Sequence, residues 1–236
     1  VYPQTVPLPY LILHSARPIG DSLSRDSRVD DLTRPSGVRD YRPGDPARFI
    51  DWKATAKRTN VFVRTFDPSV AQRVMVLVEC DTSSRDRWAN RTGLLEAAVV
   101  GAASVAFRAN ELGYAVGIAL NGNIAGGIAS PVVAPGAGPD QVAAVMTTLA
   151  GATSMTTKPL EEVLAQHGPS ALPFGATLIY VAGEFRPGIT DHIVDLGQRG
   201  YRALGIYVGP DDPPEVPGLE VQDYRGVFDV AETEDG

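Results

Sequence analysis

The stretch Arg73-Val74-Met75-Val76-Leu77-Val78-Glu79-Cys80 decides the fold of this 236-residue chain. It is a continuous apolar run rich in β-branched residues, as expected of a strand covered on both faces. A helical period follows over residues 92–112, with Gly113 placed as its C-cap, and a second strand is predicted directly after it at 114–120. Strand, helix and strand in this order predict a parallel pair joined by a crossover helix.

The same alternation continues toward the C-terminus. Further strands are predicted at 124–133, 176–182, 201–208 and 219–224, and further helices at 140–149 with Asp140 as N-cap, at 158–166 with Pro159 near the first turn, and at 190–199. The pattern predicts an α/β domain over residues 73–236, with a mostly parallel sheet and helices on both of its faces.

Residues 1–72 follow a different pattern and are interpreted as an N-terminal extension. Val61-Phe62-Val63-Arg64-Thr65-Phe66 alternates like a half-exposed strand. Together with residues 38–42 it predicts a β-hairpin-like structure. Residues 14–37, crowded with Ser, Asp, Arg and Gly, are predicted to be a loop.

Composition, net charge and cysteine content limit the classes of function that the chain can have. The chain is 44% hydrophobic and 21% charged, which is typical of a globular protein, and its net charge of -7 argues against nucleic-acid binding. The single cysteine, Cys80, excludes an internal disulfide and fits a reducing compartment. The longest apolar run, residues 97–107, is shorter than the roughly 20 residues that cross a bilayer. Because the chain begins at Val1, we expect a missing upstream part that carries any membrane anchor.

Polar side chains are predicted to meet at one edge of the sheet. In an open parallel sheet, ligands bind outside the carboxyl ends of the strands. The residues expected there are Asp81, Ser83, Thr156, Thr157 and Glu184. Two carboxylates and several hydroxyls are the oxygen donors that Mg²⁺ prefers, but an Asp-Thr-Ser-Ser sequence also caps helices and forms turns. Arg85 favours the second interpretation, because a guanidinium repels a nearby cation.

The sequence predicts no catalytic residues. His14, His167 and His192 are scattered, and Cys80 is most simply a small buried hydrophobe. A Gly-x-Ser-x-Gly elbow, a Walker A loop and a dinucleotide-binding glycine pattern are all absent from the sequence. We therefore do not expect an enzyme.

Residues 39–58 carry many special-purpose side chains without an amphipathic period. Arg42-Pro43-Gly44-Asp45-Pro46 reads as a tight turn, with Tyr41 before it and Trp52 after it among several basic residues. Two interpretations stay open for Tyr41 and Trp52: they fasten the extension in place, or they form an interface hot spot, since Trp, Tyr and Arg dominate binding energy.

This segment resembles the signature of the bacterial family called "domain of unknown function 58". In that family Arg-x-Tyr-x-x-Gly-Asp, a nearby arginine, and Ile-(Asp or His)-Trp-Lys-x-(Thr or Ser)-Ala precede a von Willebrand factor A-like domain. The matching positions are Arg39, Tyr41, Gly44, Asp45, Arg48, Ile50, Asp51, Trp52, Lys53, Thr55 and Ala56.

The resemblance implies a von Willebrand factor A-like fold. Such domains typically bind Mg²⁺ through Asp-x-Ser-x-Ser, a threonine and an aspartate on three loops. Asp81 and Ser83 match, Thr157 or Thr156 would supply the threonine, and Glu184 stands at the place of the aspartate. Arg85 stands where the second serine belongs. The resemblance thus implies a degenerate metal-ion-dependent adhesion site, with Mg²⁺ as the one cofactor to consider.

Family members usually carry two membrane-spanning helices upstream and are often found beside MoxR-type AAA+ ATPases. The resemblance therefore implies a non-enzymatic protein–protein interaction domain at the cytoplasmic face of the bacterial inner membrane. Its partner would be an AAA+ ATPase or a client of that ATPase, in the assembly or maturation of protein complexes, and not a nucleic acid. The alternative is a Mg²⁺-dependent phosphohydrolase that uses Asp81 and Glu184.

Overall fold

The structure is a computed structural model that describes residues 2–8, 29–41, 50–56, 60–69, 72–82, 91–124 and 127–228. The chain divides into two compact units. The smaller unit comprises Gly20–Ala71, and the larger comprises Val1–Ile19 with Gln72–Gly236. The smaller unit has one sheet and the larger unit has two.

The smaller unit contains strand β1 (Val29–Asp40), the one-turn helix α1 (Trp52–Thr55) and strand β2 (Phe62–Ser69). β1 and β2 pair antiparallel, with Asp40 opposite Phe62, which confirms the pairing predicted there. The prediction of a loop over 14–37 is wrong for residues 29–37, which belong to β1, and residues 14–28 lie outside the described part. The error has a physical reason: this strand is held by backbone pairing with register shifts around Pro35, and it lacks an apolar alternation.

The larger unit begins with strand β3, and strands and helices alternate after it. Its elements are β3 (Arg73–Val78), α2 (Arg91–Glu111), β4 (Ala115–Leu120), β5 (Gly122–Ile124), β6 (Ile128–Ala129), β7 (Val132–Gly136), α3 (Pro139–Ala150), β8 (Ala152–Thr156), α4 (Leu160–His167) with a 3-10 turn at Gly168–Ser170, β9 (Thr177–Ala182), α5 (Pro187–Gln198), β10 (Arg202–Tyr207) and β11 (Glu220–Asp223). The main sheet has the order β11-β10-β9-β3-β4-β7, and β7 alone is antiparallel to its neighbour. The predicted α/β class and the mostly parallel sheet are confirmed.

Helices cover both faces of this sheet. The side chains of β3 alternate between two apolar clusters: Val74, Val76 and Val78 pack with α2 and α3, and Met75 and Leu77 pack with α4 and α5. Each of these five side chains is at most 1% exposed. The continuous apolar run of β3 is therefore the direct consequence of burial on two sides.

Helix α2 ends where the sequence predicts. Gly113 has φ +79°, and the N–H of Tyr114 donates to the carbonyl of Ala109 at 3.0 Å while the N–H of Gly113 donates to Asn110 at 2.9 Å. This left-handed glycine followed by a backward hydrogen bond is the Schellman arrangement that stops a helix. It turns the chain directly into β4.

Several predicted boundaries differ from the observed ones. The single strand expected at 124–133 is three short strands, β5, β6 and β7. β8 was not predicted, because Ala-Thr-Ser-Met-Thr has little apolar alternation; it pairs with β5 in a separate sheet of order β6-β5-β8. Asp140 is not the N-cap of α3: Gly138 holds that position, and Asp140 lies in the first turn. Pro159 likewise precedes α4 as its N-cap.

The strand order reverses beside β3. From β3 the chain crosses through α2 to β4 on one side, whereas β9 lies on the other side of β3 and leads through α5 to β10. The carboxyl ends of β3 and β9 thus form the switch point of the sheet, which is the place where open α/β sheets bind ligands.

Candidate functional site

The structure places Asp81 and Glu184 on one rim, as predicted. Val78 of β3 is in register with Val181 of β9, and each acidic residue lies three positions beyond its strand partner. Thr157 follows β8, which belongs to the smaller sheet of the larger unit. The last residue of β8, Thr156, pairs with Gly122, which lies just after the carboxyl end of β4. Thr157 is exposed, and Ser83 and Arg85 lie outside the described residues.

An arginine that sequence reasoning missed contacts Asp81 at this rim. Arg186 is the N-cap residue of α5, and its guanidinium reaches from the exit of β9 to the exit of β3. Nη1 lies 3.1 Å from Oδ2 of Asp81, and Nη2 donates to the backbone carbonyl of Asp81 at 3.3 Å. The two side chains are 31% and 21% exposed, so this ion pair is partly buried.

This ion pair bears directly on the expected Mg²⁺ site. Oδ2 of Asp81 already faces a guanidinium, and a divalent ion placed against it would be repelled by that charge. Within the described ranges, no group of three or more His, Cys, Asp or Glu side chains is arranged to hold a metal ion. The described donors around Asp81 therefore do not fit a Mg²⁺ ion as they stand.

Below Asp81, a buried carboxylate anchors the loop. Glu79 is 3% exposed, and its Oε1 accepts a hydrogen bond from the N–H of Asp81 at 3.0 Å and another from Nδ2 of Asn121. Burial raises the pKa of Glu79 above its ordinary value, against the opposing effects of these two hydrogen bonds and of Arg186. The buried group thus sets the backbone conformation that presents Asp81.

Asn121 ties this loop to the next strand. It follows β4, and while its Nδ2 donates to Glu79, its Oδ1 accepts from the N–H of Cys80 at 2.8 Å. One amide side chain therefore binds two consecutive residues of the β3 exit. The Cys80 side chain is fully buried, and burial raises the pKa of its thiol to about 12.

A second polar group lies under the rim, on the face of the sheet that carries Met75 and Leu77. In the described part of the chain, the Tyr180 hydroxyl and Nε of Arg186 are buried without a hydrogen-bond partner. Burial, with a smaller contribution from Glu79, raises the pKa of Tyr180 well above its ordinary value, although the nearby backbone N–H of Arg186 opposes the shift.

Two glycines allow the rim loops to approach one another. A Cβ on Gly209, after β10, would collide with the carbonyl oxygen of Gly183 and with the Tyr207 hydroxyl. A Cβ on Gly122 would collide with the carbonyl oxygen of Thr153 and would lie 2.7 Å from Cβ of Cys80. Both positions require glycine because backbone atoms fill the space.

The smaller unit carries the described part of the Asp-Trp-Lys segment. Asp51 is the N-cap of α1, and its Oδ1 accepts from the N–H of Ala54 at 2.9 Å. Trp52 is 69% exposed, and Tyr41 is 40% exposed. Arg39 and Lys53 are also exposed, whereas the signature residues Gly44, Asp45 and Arg48 lie outside the described residues.

Together these features define an α/β unit whose ligand-type rim, at the switch point of a mostly parallel sheet, is bridged by an internal Arg–Asp ion pair. The chain belongs to the family described as protein of unknown function DUF58, whose model matches residues 37–170. The match runs from the end of β1 through the 3-10 turn after α4, so it includes Glu79, Asp81 and Asn121 but not Arg186. No curated protein matches the sequence. None of the helices in the described ranges is long and apolar enough to span a membrane.

Proposed function

We propose that this chain is a non-enzymatic protein–protein interaction domain of the von Willebrand factor A-like type. In this proposal it works with a MoxR-type AAA+ ATPase in the assembly or maturation of protein complexes, at the cytoplasmic face of the bacterial inner membrane. The type is supported by a helix-covered, mostly parallel sheet with Asp81 after its central strand. The partner and the location are supported by the resemblance of residues 39–58 to the family signature.

The observation that carries the proposal is the ion pair between Arg186 and Asp81. In a metal-dependent adhesion site the cation would neutralise the aspartate and offer an open coordination position. Here the guanidinium supplies the positive charge, and it offers hydrogen-bond donors and a planar surface instead of an open position. In this proposal the rim binds its partner through surface contacts of the Arg186 guanidinium and not through a shared cation.

Binding of the purified MoxR-type ATPase encoded in the same genome tests the proposal. We expect Arg186→Gln and Asp81→Asn to weaken this binding at least about tenfold, as hot-spot substitutions do. Arg199→Gln is the matched control, because Arg199 forms an exposed ion pair with Asp195 at the other end of the same helix, about 20 Å from Arg186. Equal affinity of all four proteins, or no binding of the wild-type chain, would reject the proposal.

The phosphohydrolase alternative requires a Mg²⁺ ion held by Asp81 and Glu184. Calorimetric titration of the chain with Mg²⁺ and turnover of p-nitrophenyl phosphate distinguish the two functions. We expect neither saturable Mg²⁺ binding that depends on Asp81 nor turnover that disappears in Asp81→Asn. Observing both would establish the enzyme and count against the interaction domain.

A further inference from the structure

We propose that Trp52 and Lys53 form a docking surface on the smaller unit for an acidic segment of a partner protein. These residues belong to the smaller unit and the rim residues to the larger one, and the inference stands whether or not that rim binds an ATPase. The residues that carry it are Trp52, Lys53, Tyr41 and Val61, which we call the Trp52 patch.

The segment Asp51-Trp52-Lys53-Ala54-Thr55 divides into residues that hold the fold and residues that do not. Asp51 caps α1 through the N–H of Ala54, and Oγ1 of Thr55 accepts from the N–H of Phe62 at 3.0 Å, which joins the helix to β2. The N–H of Asp51 also donates to the carbonyl of Phe62 at 2.8 Å. Local structure therefore explains Asp51 and Thr55.

Local structure does not explain Trp52. Its side chain is 69% exposed, and over the described residues it makes no hydrogen bond, ring contact or ion pair. Trp52 is therefore not held by the described part of its own unit. A large exposed aromatic side chain with no intramolecular role is typical of an interface anchor.

The neighbours of Trp52 extend the apolar surface. β2 begins between two segments: Val61 accepts from the N–H of Tyr41 on one side, and Phe62 accepts from the N–H of Asp51 on the other. Tyr41 and Trp52 thus lie on opposite flanks of one strand, about 10 Å apart at their backbones given ordinary strand spacing. Tyr41 and Val61 are each 40% exposed. This part of the smaller unit therefore exposes three apolar side chains, those of Tyr41, Val61 and Trp52.

Charge identifies the kind of partner. Residues 39–58 hold six Lys or Arg and three Asp, a net charge of +3. The smaller unit as a whole has ten Lys or Arg and eight Asp or Glu, a net charge of +2. The rest of the chain has 11 Lys or Arg and 20 Asp or Glu, a net charge of -9. A basic sequence segment in an otherwise strongly acidic chain favours a discrete acidic segment that places an apolar side chain against Trp52. Extended polyanions such as RNA or an anionic bilayer would be repelled by the remainder.

Peptide selection tests this inference without a known partner. A phage-displayed library is panned on the full chain and counter-selected on Trp52→Ala, and an enriched peptide is then synthesised and titrated. We expect enriched peptides with a net negative charge and an apolar residue, and a loss of affinity of at least about tenfold for Trp52→Ala and for Lys53→Glu. Affinity should also fall as salt rises from about 50 mM to about 500 mM.

Matched controls separate binding from folding. Phe174→Ala removes an aromatic side chain that is also 69% exposed but belongs to the larger unit, and it should leave peptide binding unchanged. Trp52→Ala should leave the melting temperature unchanged, whereas Asp51→Ala should lower it. Arg186→Gln should retain peptide binding, so failure of the rim proposal remains distinguishable from failure of this one.

Several results would overturn the inference. They are no enrichment over Trp52→Ala, enriched peptides without an acidic bias, a melting temperature that falls in Trp52→Ala, or an equal loss of binding in Phe174→Ala. Trp52-dependent binding of a model single-stranded RNA or of phosphatidylserine vesicles in place of peptides would assign the patch to another class of partner and reject the acidic segment.

Discussion

Arg186 joins two loops of the larger unit that are 105 residues apart in sequence, with Nη1 3.1 Å from Oδ2 of Asp81. The two residues follow neighbouring parallel strands, so the ion pair closes the crevice where the strand order reverses. The same guanidinium also binds the carbonyl of Asp81. Arg186 therefore neutralises the Asp81 carboxylate and also holds the backbone of the segment that follows β3.

Arg186→Gln should lower the free energy of unfolding by about 1–2 kcal/mol, because it breaks a partly buried, hydrogen-bonded ion pair. Arg199→Gln breaks an ion pair whose side chains are 67% and 46% exposed, and it should cost less than about 0.5 kcal/mol. Urea denaturation of the two variants checks the difference. Equal costs would show that Arg186 contributes no more than a surface arginine.

Glu79→Gln should stabilise the protein more at neutral pH than at acidic pH. The folded-state pKa of Glu79 is raised above 4.5, so the folded state holds the proton more tightly than the unfolded state does. The stability that this group contributes is complete below pH 4.5 and is lost as the pH rises through the folded-state pKa. Glutamine keeps an acceptor oxygen and removes the buried charge.

Melting temperatures of wild type and Glu79→Gln across the acidic to neutral range check this prediction. The difference between the two proteins should widen as the pH rises. A difference that stays constant, or that narrows toward neutral pH, would contradict a raised pKa for the buried carboxyl group.

Asn121→Ala should cost about 2–4 kcal/mol of stability, because it removes one of the two donors to the buried Glu79 carboxylate and leaves the Cys80 N–H without its acceptor. Ser130→Ala is the control. It removes only the 3.3 Å hydrogen bond from the Ser130 hydroxyl to the Asn121 carbonyl, and should cost less than about 1 kcal/mol. Similar costs for the two variants in urea denaturation would argue against a special role of the Asn121 amide.

Cys80 should resist thiol reagents in the native protein. The thiol is fully buried and its pKa is raised to about 12, so thiolate is scarce near neutral pH and the reagent has no access. Labelling by a disulfide reagent should be at least about a thousandfold slower than in denaturing urea, where the thiol is exposed. Rapid native labelling would show that the β3 exit opens readily.

The fold was predictable wherever the spacing of apolar residues in the sequence matches the side chains that the structure buries. The run at Arg73–Val78, buried on both faces, and the helical period that became Arg91–Glu111 were both predicted within one or two residues at most boundaries. β8 was not predicted because Ala152–Thr156 is held by pairing with β5 and carries almost no apolar signal. β1 was missed for the same kind of reason. Strands specified by backbone partners leave little trace in their own side chains.

The candidate site was predictable in its position but not in its contacts. Strand exits indicated that Asp81 and Glu184 would share a rim. Arg186 lies only two residues beyond Glu184, so its place near this rim was predictable. The sequence did not indicate that its long side chain would cross to Asp81. Glu79 and Asn121 meet only because β4 lies beside β3, a neighbour relationship 42 residues apart in sequence.

The approach of Gly209 to the Gly183 carbonyl oxygen has a mechanical consequence. No side chain fits between the turn after β10 and the turn after β9, so any larger residue at position 209 would have to displace the backbone that leads from Gly183 to Arg186.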